Sequence, residues 1–135
     1  MKEINELQFP GGFLYAKDHE WAKPEGDKVR VGISDYAQDQ LGDIVFVELP
    51  QVGSRHVKGT QFGTVESVKA VSELYMPVGG EVLSVNKTLE DAPEILNKEP
   101  YGLGWLIEIK LEDHAELKSL MDRDAYLDFL KGLSR

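Results

Sequence analysis

The chain has 135 residues, enough for one domain that buries about two-thirds of its unfolded surface. Its lack of cysteine removes disulfide, thiolate and zinc-thiolate chemistry, and a net charge of −9 repels nucleic-acid backbones and anionic membranes while favouring basic partner clefts. No apolar run approaches the ~20 residues of a membrane span and the first residues carry no signal-like segment, so a cytoplasmic protein is expected.

Residues 1–12 have weak periodicity and end in Pro10-Gly11-Gly12, which predicts a loosely ordered N-terminal arm. Residues 13–135 are expected to form a single domain. Short strands are predicted over 14–16 and 19–22, and Val29, Val31 and Ile33 alternate as one buried face of a third. Ser34 and Asp35 supply capping oxygens, with a capping-box spacing from Asp35 to Gln38, so a short helix is predicted over 36–41 and stopped by Gly42. The run 43–49 is apolar at nearly every position, which predicts a strand covered on both faces.

A strand over 82–85 follows the turn at Gly79-Gly80, and Pro93 opens a short helix at 94–96. Trp105, Ile107, Ile109 and Leu111 alternate as the last strand. From Asp113 the period becomes helical, and Tyr126, Leu127 and Leu130 form the stripe of a final helix. Many short strands with terminal helices make the chain mainly β, with a sandwich or small barrel as the economical architecture.

Between these elements lies the stretch 63–82. Two β-compatible runs, 63–67 and 71–75, flank Lys69, so a hairpin is predicted with the lysine at its tip. Solvated lysines on turns are common. This turn, however, holds Val68, Lys69 and Ala70 in place of the Asn-Gly or Asp-Gly that two-residue hairpins favour for their positive φ angles. A protruding amine is accessible to another enzyme, and its acylation removes the charge and makes a long flexible tether. Glu66 and Glu73 flank it, either as solvated strand carboxylates or as marks for a ligase or partner.

Self-contained catalysis finds no support. His19, His56 and His114 are dispersed without metal-ligand spacing, the glycines at 102 and 104 precede a strand instead of following one, and no phosphate loop or serine-hydrolase elbow is present. Asp91/Glu94 and Asp113/Glu116 read better as helix caps than as acid/base pairs.

The residues Glu66-Ser67-Val68-Lys69-Ala70, Ser72-Glu73-Leu74-Tyr75 and Pro77-Val78-Gly79-Gly80-Glu81-Val82 resemble the lipoyl-attachment region of glycine cleavage system H proteins. Further blocks resemble the family in order, among them Asp18-His19-Glu20-Trp21, Leu41-Gly42-Asp43, Asn97 and Gly104-Trp105, so the likeness covers roughly residues 15–130. The resemblance implies a barrel-sandwich hybrid with short helices and a C-terminal helix. It also implies a non-catalytic carrier with lipoate in amide linkage on Lys69, and with Glu66, Ser67, Val68, Ala70 and Glu73 read by the ligase and partners.

The partners so implied are a PLP-dependent glycine decarboxylase (P protein), a tetrahydrofolate-dependent aminomethyltransferase (T protein), dihydrolipoamide dehydrogenase (L protein) and a lipoyl ligase or transferase. A monomer is expected. Because the loaded arm ends in a cation that needs shelter from water, Glu20 in the matching block is the expected docking acceptor, with Trp21 in the core.

Competing readings are a lipoyl relay or regulatory relative, a biotinyl carrier, which would want methionines where Val68 and Ala70 stand, and an unmodified binding module. Three residues depart from the family pattern: Tyr36 for histidine, Gly79 for serine and Glu108 for lysine.

Overall fold

The computed structural model describes residues 2–133. Nine strands and four short helices run in the order β1 (Leu14–Tyr15), β2 (Glu20–Glu25), β3 (Lys28–Ile33), α1 (Asp35–Leu41), β4 (Ile44–Glu48), β5 (Arg55–His56), β6 (Gln61–Ser67), β7 (Val71–Tyr75), β8 (Gly80–Val85), α2 (Thr88–Asp91), α3 (Ile95–Lys98), β9 (Ile107–Leu111) and α4 (Arg123–Leu133). Short 3-10 helices occur at Ile4–Glu6 and His114–Ser119.

The strands make two antiparallel sheets, one ordered β1-β2-β3-β9-β8-β5 and the other β4-β6-β7. Their inner faces share one core. Val29, Val31, Ile33, Val82, Ile107 and Ile109 from the larger sheet meet Val47, Val65 and Leu74 from the smaller one. Each such buried side chain stabilises the fold by roughly 1.5–3 kcal/mol, so the alternation in β3 is an energetic constraint on register. The mainly β architecture with a terminal helix is as expected, although β9 starts at Ile107, two residues after Trp105. Among the described residues, no helix is long and apolar enough to cross a membrane.

Four local expectations are corrected. Within the N-terminal segment expected to be loose, residues 7–9 are held: Leu7 and Phe9 are buried in a second, aromatic cluster with Tyr15, Trp21, Tyr126 and Leu130, and the Gln8 N–H donates to Asp35 Oδ2 at 2.8 Å. Large apolar side chains outweighed the weak periodicity of that stretch.

Helix α1 begins at Asp35 because Ser34 is its cap, accepting from the Ala37 N–H at 3.2 Å. The Gln38 side chain turns instead to Asp35 Oδ1 at 2.6 Å. The expected helix at 94–96 is the single turn α3, displaced to Ile95–Lys98, and an unexpected turn, α2, precedes it; neither has a side-chain cap. Finally, β4 is not covered on both faces. A register irregularity between Ile44 and Phe46 leaves Val45 and Phe46 half exposed, at 52% and 49%.

Candidate functional site: the lysine turn and the buried carboxyl

Strands β6 and β7 pair from Gln61↔Tyr75 to Glu66↔Val71 and put Lys69, exposed, at the tip between them. The turn needs no glycine because Ser67 closes it. Its N–H donates to the Ala70 carbonyl at 2.8 Å, and its Oγ accepts from the N–H groups of Ala70 (3.1 Å) and Lys69 (3.3 Å). A serine hydroxyl thus does what a carbonyl does in an ordinary two-residue turn. His19 is the one non-glycine residue with positive φ among those described, so Val68, Lys69 and Ala70 all avoid the left-handed region.

The tip is fastened to the rest of the molecule at the corner between α1 and β4. The Val68 N–H donates to the Asp43 carbonyl at 3.0 Å. Asn97 holds that corner from below. It accepts from the Ile44 N–H at 2.9 Å and donates to the Gly42 carbonyl (2.8 Å) and Gln38 Oε1 (2.9 Å). Gly42 itself has φ +77, a conformation suited to glycine, and a β-carbon there would lie 3.7 Å from Lys69 Cε, so the lysine stem runs along this corner.

Of the other residues expected at the site, Val68 and Ala70 are exposed beside the lysine, and Glu66 and Glu73 point outward from the sheet, Glu73 accepting a hydrogen bond from the Tyr75 hydroxyl.

Glu20 lies at the other end of β7. It is 2% exposed, which no reading of it as a surface carboxylate accommodates. Oε2 accepts from the Tyr75 N–H at 3.2 Å, while Oε1 is buried without a hydrogen-bond partner. Burial pushes its pKa up to about 8; the Tyr75 bond opposes that rise and the nearby Asp18 charge adds to it.

Two recesses adjoin here and share Lys17 and Asp18. One, of about 370 Å³, is lined by Glu20 with Tyr15, Met76 and Met121. The other, of about 530 Å³, runs along Val71, Ser72, Glu73 and Tyr75 and so begins two residues from Lys69. Trp21 is core as expected, with its indole N–H donating to the Pro100 carbonyl at 2.9 Å.

One set of positioning residues left no periodic trace. His19, at φ 76, places its Nδ1 2.8 Å from the Tyr126 hydroxyl, which lies 2.8 Å from Ser34 Oγ. Burial lowers the His19 pKa, which favours the neutral ring in this contact. The C-terminal helix thereby pins the residue next to Glu20.

The departures from the family pattern also find partners. Glu108 faces Arg30 across the β3–β9 register at 3.7 Å, Tyr36 packs on His19 with ring centroids 4.8 Å apart, and the Gly79 N–H donates to Glu116 Oε1 at 2.8 Å.

Two facing antiparallel sheets that raise a lysine on a glycine-free turn define a carrier domain of the lipoyl and biotinyl barrel-sandwich class. Sequence comparison is more specific: the family model for the glycine cleavage H-protein matches residues 13–132, and the chain belongs to that family of non-catalytic carriers. It is 52% identical over 125 residues to a glycine cleavage system H protein of Bacillus licheniformis, covering 93% of this chain and 98% of the relative. The H protein of Thermus thermophilus is 50% identical over 126 residues, with 93% and 98% covered. A crystal structure of a glycine cleavage system H protein from Mycobacterium marinum superposes with a TM-score of 0.79 at 36% identity, covering 92% of this chain and 99% of that one.

Proposed function

We propose that the chain carries lipoate in amide linkage on Lys69 and moves aminomethyl cargo from a PLP-dependent glycine decarboxylase to a tetrahydrofolate-dependent aminomethyltransferase, with dihydrolipoamide dehydrogenase returning the arm to its oxidised form. The observation that carries this reading is the turn. Ser67 and Asp43 hold the backbone rigid while the Lys69 side chain stands in solvent, which is what a ligase needs from an acceptor amine.

When bound, the lipoyl group supplies a dithiolane that takes up and gives back both cargo and electrons. The residues of this chain fit such an arm. Acylation of Lys69 Nζ replaces a solvated cation by a neutral amide, so nothing ties the tether to the acidic surface. The recess along Val71, Ser72 and Glu73 offers a path toward Glu20. There Oε1, buried and unpartnered, is an acceptor for a cationic end group. An arriving ammonium favours the carboxylate, so Glu20 gives up its proton on docking, and Tyr15, Met76 and Met121 reduce the access of water.

The deciding experiment is intact mass after expression with a lipoate ligase and lipoate. The parent gains one lipoyl group, and Lys69→Arg, which keeps a positive charge but offers no acylatable amine, gains none. Lys58→Arg and Lys87→Arg serve as controls and are modified like the parent. A lipoyl mass on the Lys69→Arg chain would move the arm to another lysine and end this assignment.

A further inference from the structure

The N-terminal segment and helix α4 border a cleft of about 1070 Å³ that the proposed function leaves unused. It shares no lining residue with the two recesses beside Glu20 and the lysine turn. Its walls come from residues 2–9, from Tyr36 and Gln40 in α1, and from Arg123, Leu127 and Lys131 in α4.

Two features coincide there. Ile4, Leu7, Phe9 and Leu127 give the cleft an apolar lining, and Leu7 and Phe9 are fixed in the aromatic cluster with Tyr15 and Tyr126. Lys2, Arg123 and Lys131, all exposed, face it against one acid, Glu3, although the chain carries 24 acidic and 15 basic residues. Solvated lysines are ordinary when isolated. Here three cations surround one apolar cleft, and the acids beside them are already engaged. Asp39 accepts from the Lys2 backbone N–H at 3.0 Å, and Asp124 pairs with Arg123 Nη1 at 3.2 Å. Arg123 Nε donates to the Phe9 carbonyl at 2.7 Å, which holds the guanidinium against the segment. Among the described residues, neither Lys2 nor Lys131 has an ion-pair partner.

We infer that this cleft binds a small amphipathic anion, an alkyl chain ending in a carboxylate, with the chain against Leu7, Phe9 and Leu127 and the head among Lys2, Arg123 and Lys131. The inference stands independently of any modification of Lys69. The volume lies at the upper end of the roughly 300–1,000 Å³ typical of small-molecule clefts, so a single-chain ligand fits within it. Charge decides the head group. A net charge of −9 repels anions from the surface as a whole, whereas three cations against one acid make this cleft a local exception. The same surface charge opposes an anionic bilayer, which would have to approach more of the molecule than the cleft.

The test titrates the isotopically labelled full chain with decanoate and, separately, with decyltrimethylammonium, each below its micelle concentration, and follows the backbone amides by NMR. The probes share an alkyl chain and differ in the sign of the head, and net charge alone would favour the cation. Decanoate shifts the amides of residues 4–9, 36–40 and 123–131 saturably, with a Kd at least about tenfold below that of the cation at the same amides. Lys2→Glu with Lys131→Glu raises the decanoate Kd by about tenfold or more and abolishes the preference for the anion. Leu127→Gln keeps all three cations but loses part of the apolar wall, and weakens decanoate at least about fivefold.

Shifts that spread over the surface without saturating, or that centre on Glu20 and Met76, overturn the cleft as the site. Tighter binding of the cation at the cleft amides, or an unchanged decanoate Kd in the folded lysine variant, overturns the anionic head. Co-sedimentation of the chain with phosphatidylglycerol vesicles, without a saturable response to decanoate, replaces the small anion by a lipid surface and also overturns the proposal. If the glutamate variant loses the amide spectrum of the parent, Lys2→Gln with Lys131→Gln takes its place. Its decanoate Kd is expected at least about threefold above the parent, and an equal Kd there removes the two lysines from binding.

Discussion

The backbone N–H of Tyr75 donates to Glu20 Oε2 at 3.2 Å, so the strand that leaves the lysine turn ends on the buried carboxyl supplied by β2. The bond holds one oxygen and leaves Oε1 without a partner in a buried place, where a carboxylate is costly and a carboxylic acid is not. Its pKa is accordingly raised from 4.5 to about 8. Between those values the folded chain keeps a proton that the unfolded chain has lost. This contribution to stability is complete below the unfolded value and is lost as pH rises through the folded one. At about 1.4 kcal/mol per pH unit, the decline is on the order of 5 kcal/mol. Glu20→Gln, always neutral, is expected to match the parent in urea near pH 5 and to exceed it near pH 9. Parallel stability curves from pH 5 to 9 would locate that proton elsewhere.

Under the proposed function the same carboxyl is expected to protect the loaded carrier. A charge-assisted hydrogen bond to a cationic end group is worth roughly 1.5–3 kcal/mol, which corresponds to a tenfold or greater change in lifetime when docking is what protects the arm. Release of ammonia from the loaded protein, followed without the transferase, should be at least about tenfold faster in Glu20→Gln. Equal rates in two fully lipoylated proteins would remove Glu20 from arm protection.

His19 titrates in the opposite sense. Burial lowers its pKa, and the neutral ring shares a hydrogen bond with the Tyr126 hydroxyl. The folded chain therefore resists a proton that the unfolded chain takes up, and stability present above pH 6.5 is lost as pH falls below it. Tyr126→Phe keeps the stacking on Tyr15, whose ring centroid is 4.6 Å away, but loses the bonds to His19 and Ser34. A cost of about 1–3 kcal/mol at pH 7.5 is expected in urea unfolding. A cost below 0.5 kcal/mol, within the range of an ordinary surface substitution, would mean that the hydroxyl pins nothing.

Periodicity made some of this legible in the chain. Val29, Val31 and Ile33 could only be a one-sided strand, and the 126/127/130 stripe only a helix, because burial on one face writes itself into every second or every third and fourth residue. Phe46 defeated the same logic. An apolar residue left at the surface looks identical in sequence to one in the core, and the run 43–49 reads as doubly covered for that reason. Phe9 failed in the other direction, since a lone aromatic anchor in a glycine- and proline-rich segment has no period. The Asn97 clamp on Gly42 and Ile44 joins residues 55 and 53 apart in sequence, and the His19–Tyr126 pair spans 107. Polar contacts at such separations leave no local pattern. The exposed position of Lys69 at a hairpin tip was legible in its flanking strands, whereas the burial of Glu20 was not.

Glu108 illustrates how a departure is absorbed. It stands opposite Arg30 at 3.7 Å, and the Arg30 guanidinium also lies 4.9 Å from the Trp105 ring centroid. Both ion-pair partners retain solvent contact, so the attraction is modest. Glu108→Lys, which installs the residue common in the family, sets two cations across the register and is expected to cost about 0.5–1 kcal/mol. Arg30→Glu with Glu108→Lys should restore most of that loss in a double-mutant cycle. Strict additivity would show that the two side chains do not interact.

Gly63 is the point at which the presentation of Lys69 is most easily broken from a distance. It sits where the β6–β7 register shifts, and a β-carbon there would lie 2.3 Å from the Glu48 carbonyl oxygen and 3.4 Å from the Glu48 carbonyl carbon. Those are backbone atoms of the neighbouring strand, which no rotamer change can move aside. Gly63→Ala must therefore push β6 away from β4, the strand that carries Phe46 and follows the Asp43 carbonyl holding the turn. Overpacking of this kind costs about 1–3 kcal/mol, and the backbone origin of the clash puts the expected loss at the upper end. Gly11→Ala, with nothing within 4 Å of the added carbon, is the control and should change stability by less than about 0.5 kcal/mol. Urea unfolding measures both. Acylation by a lipoate ligase then separates two routes to damage: if Gly63→Ala slows acylation under conditions where more than nine-tenths of it is folded, the strand spacing itself presents the lysine. An acylation rate equal to the parent in that folded population would mean that the turn, fastened by Ser67 and Asp43, keeps Lys69 in place without help from β4.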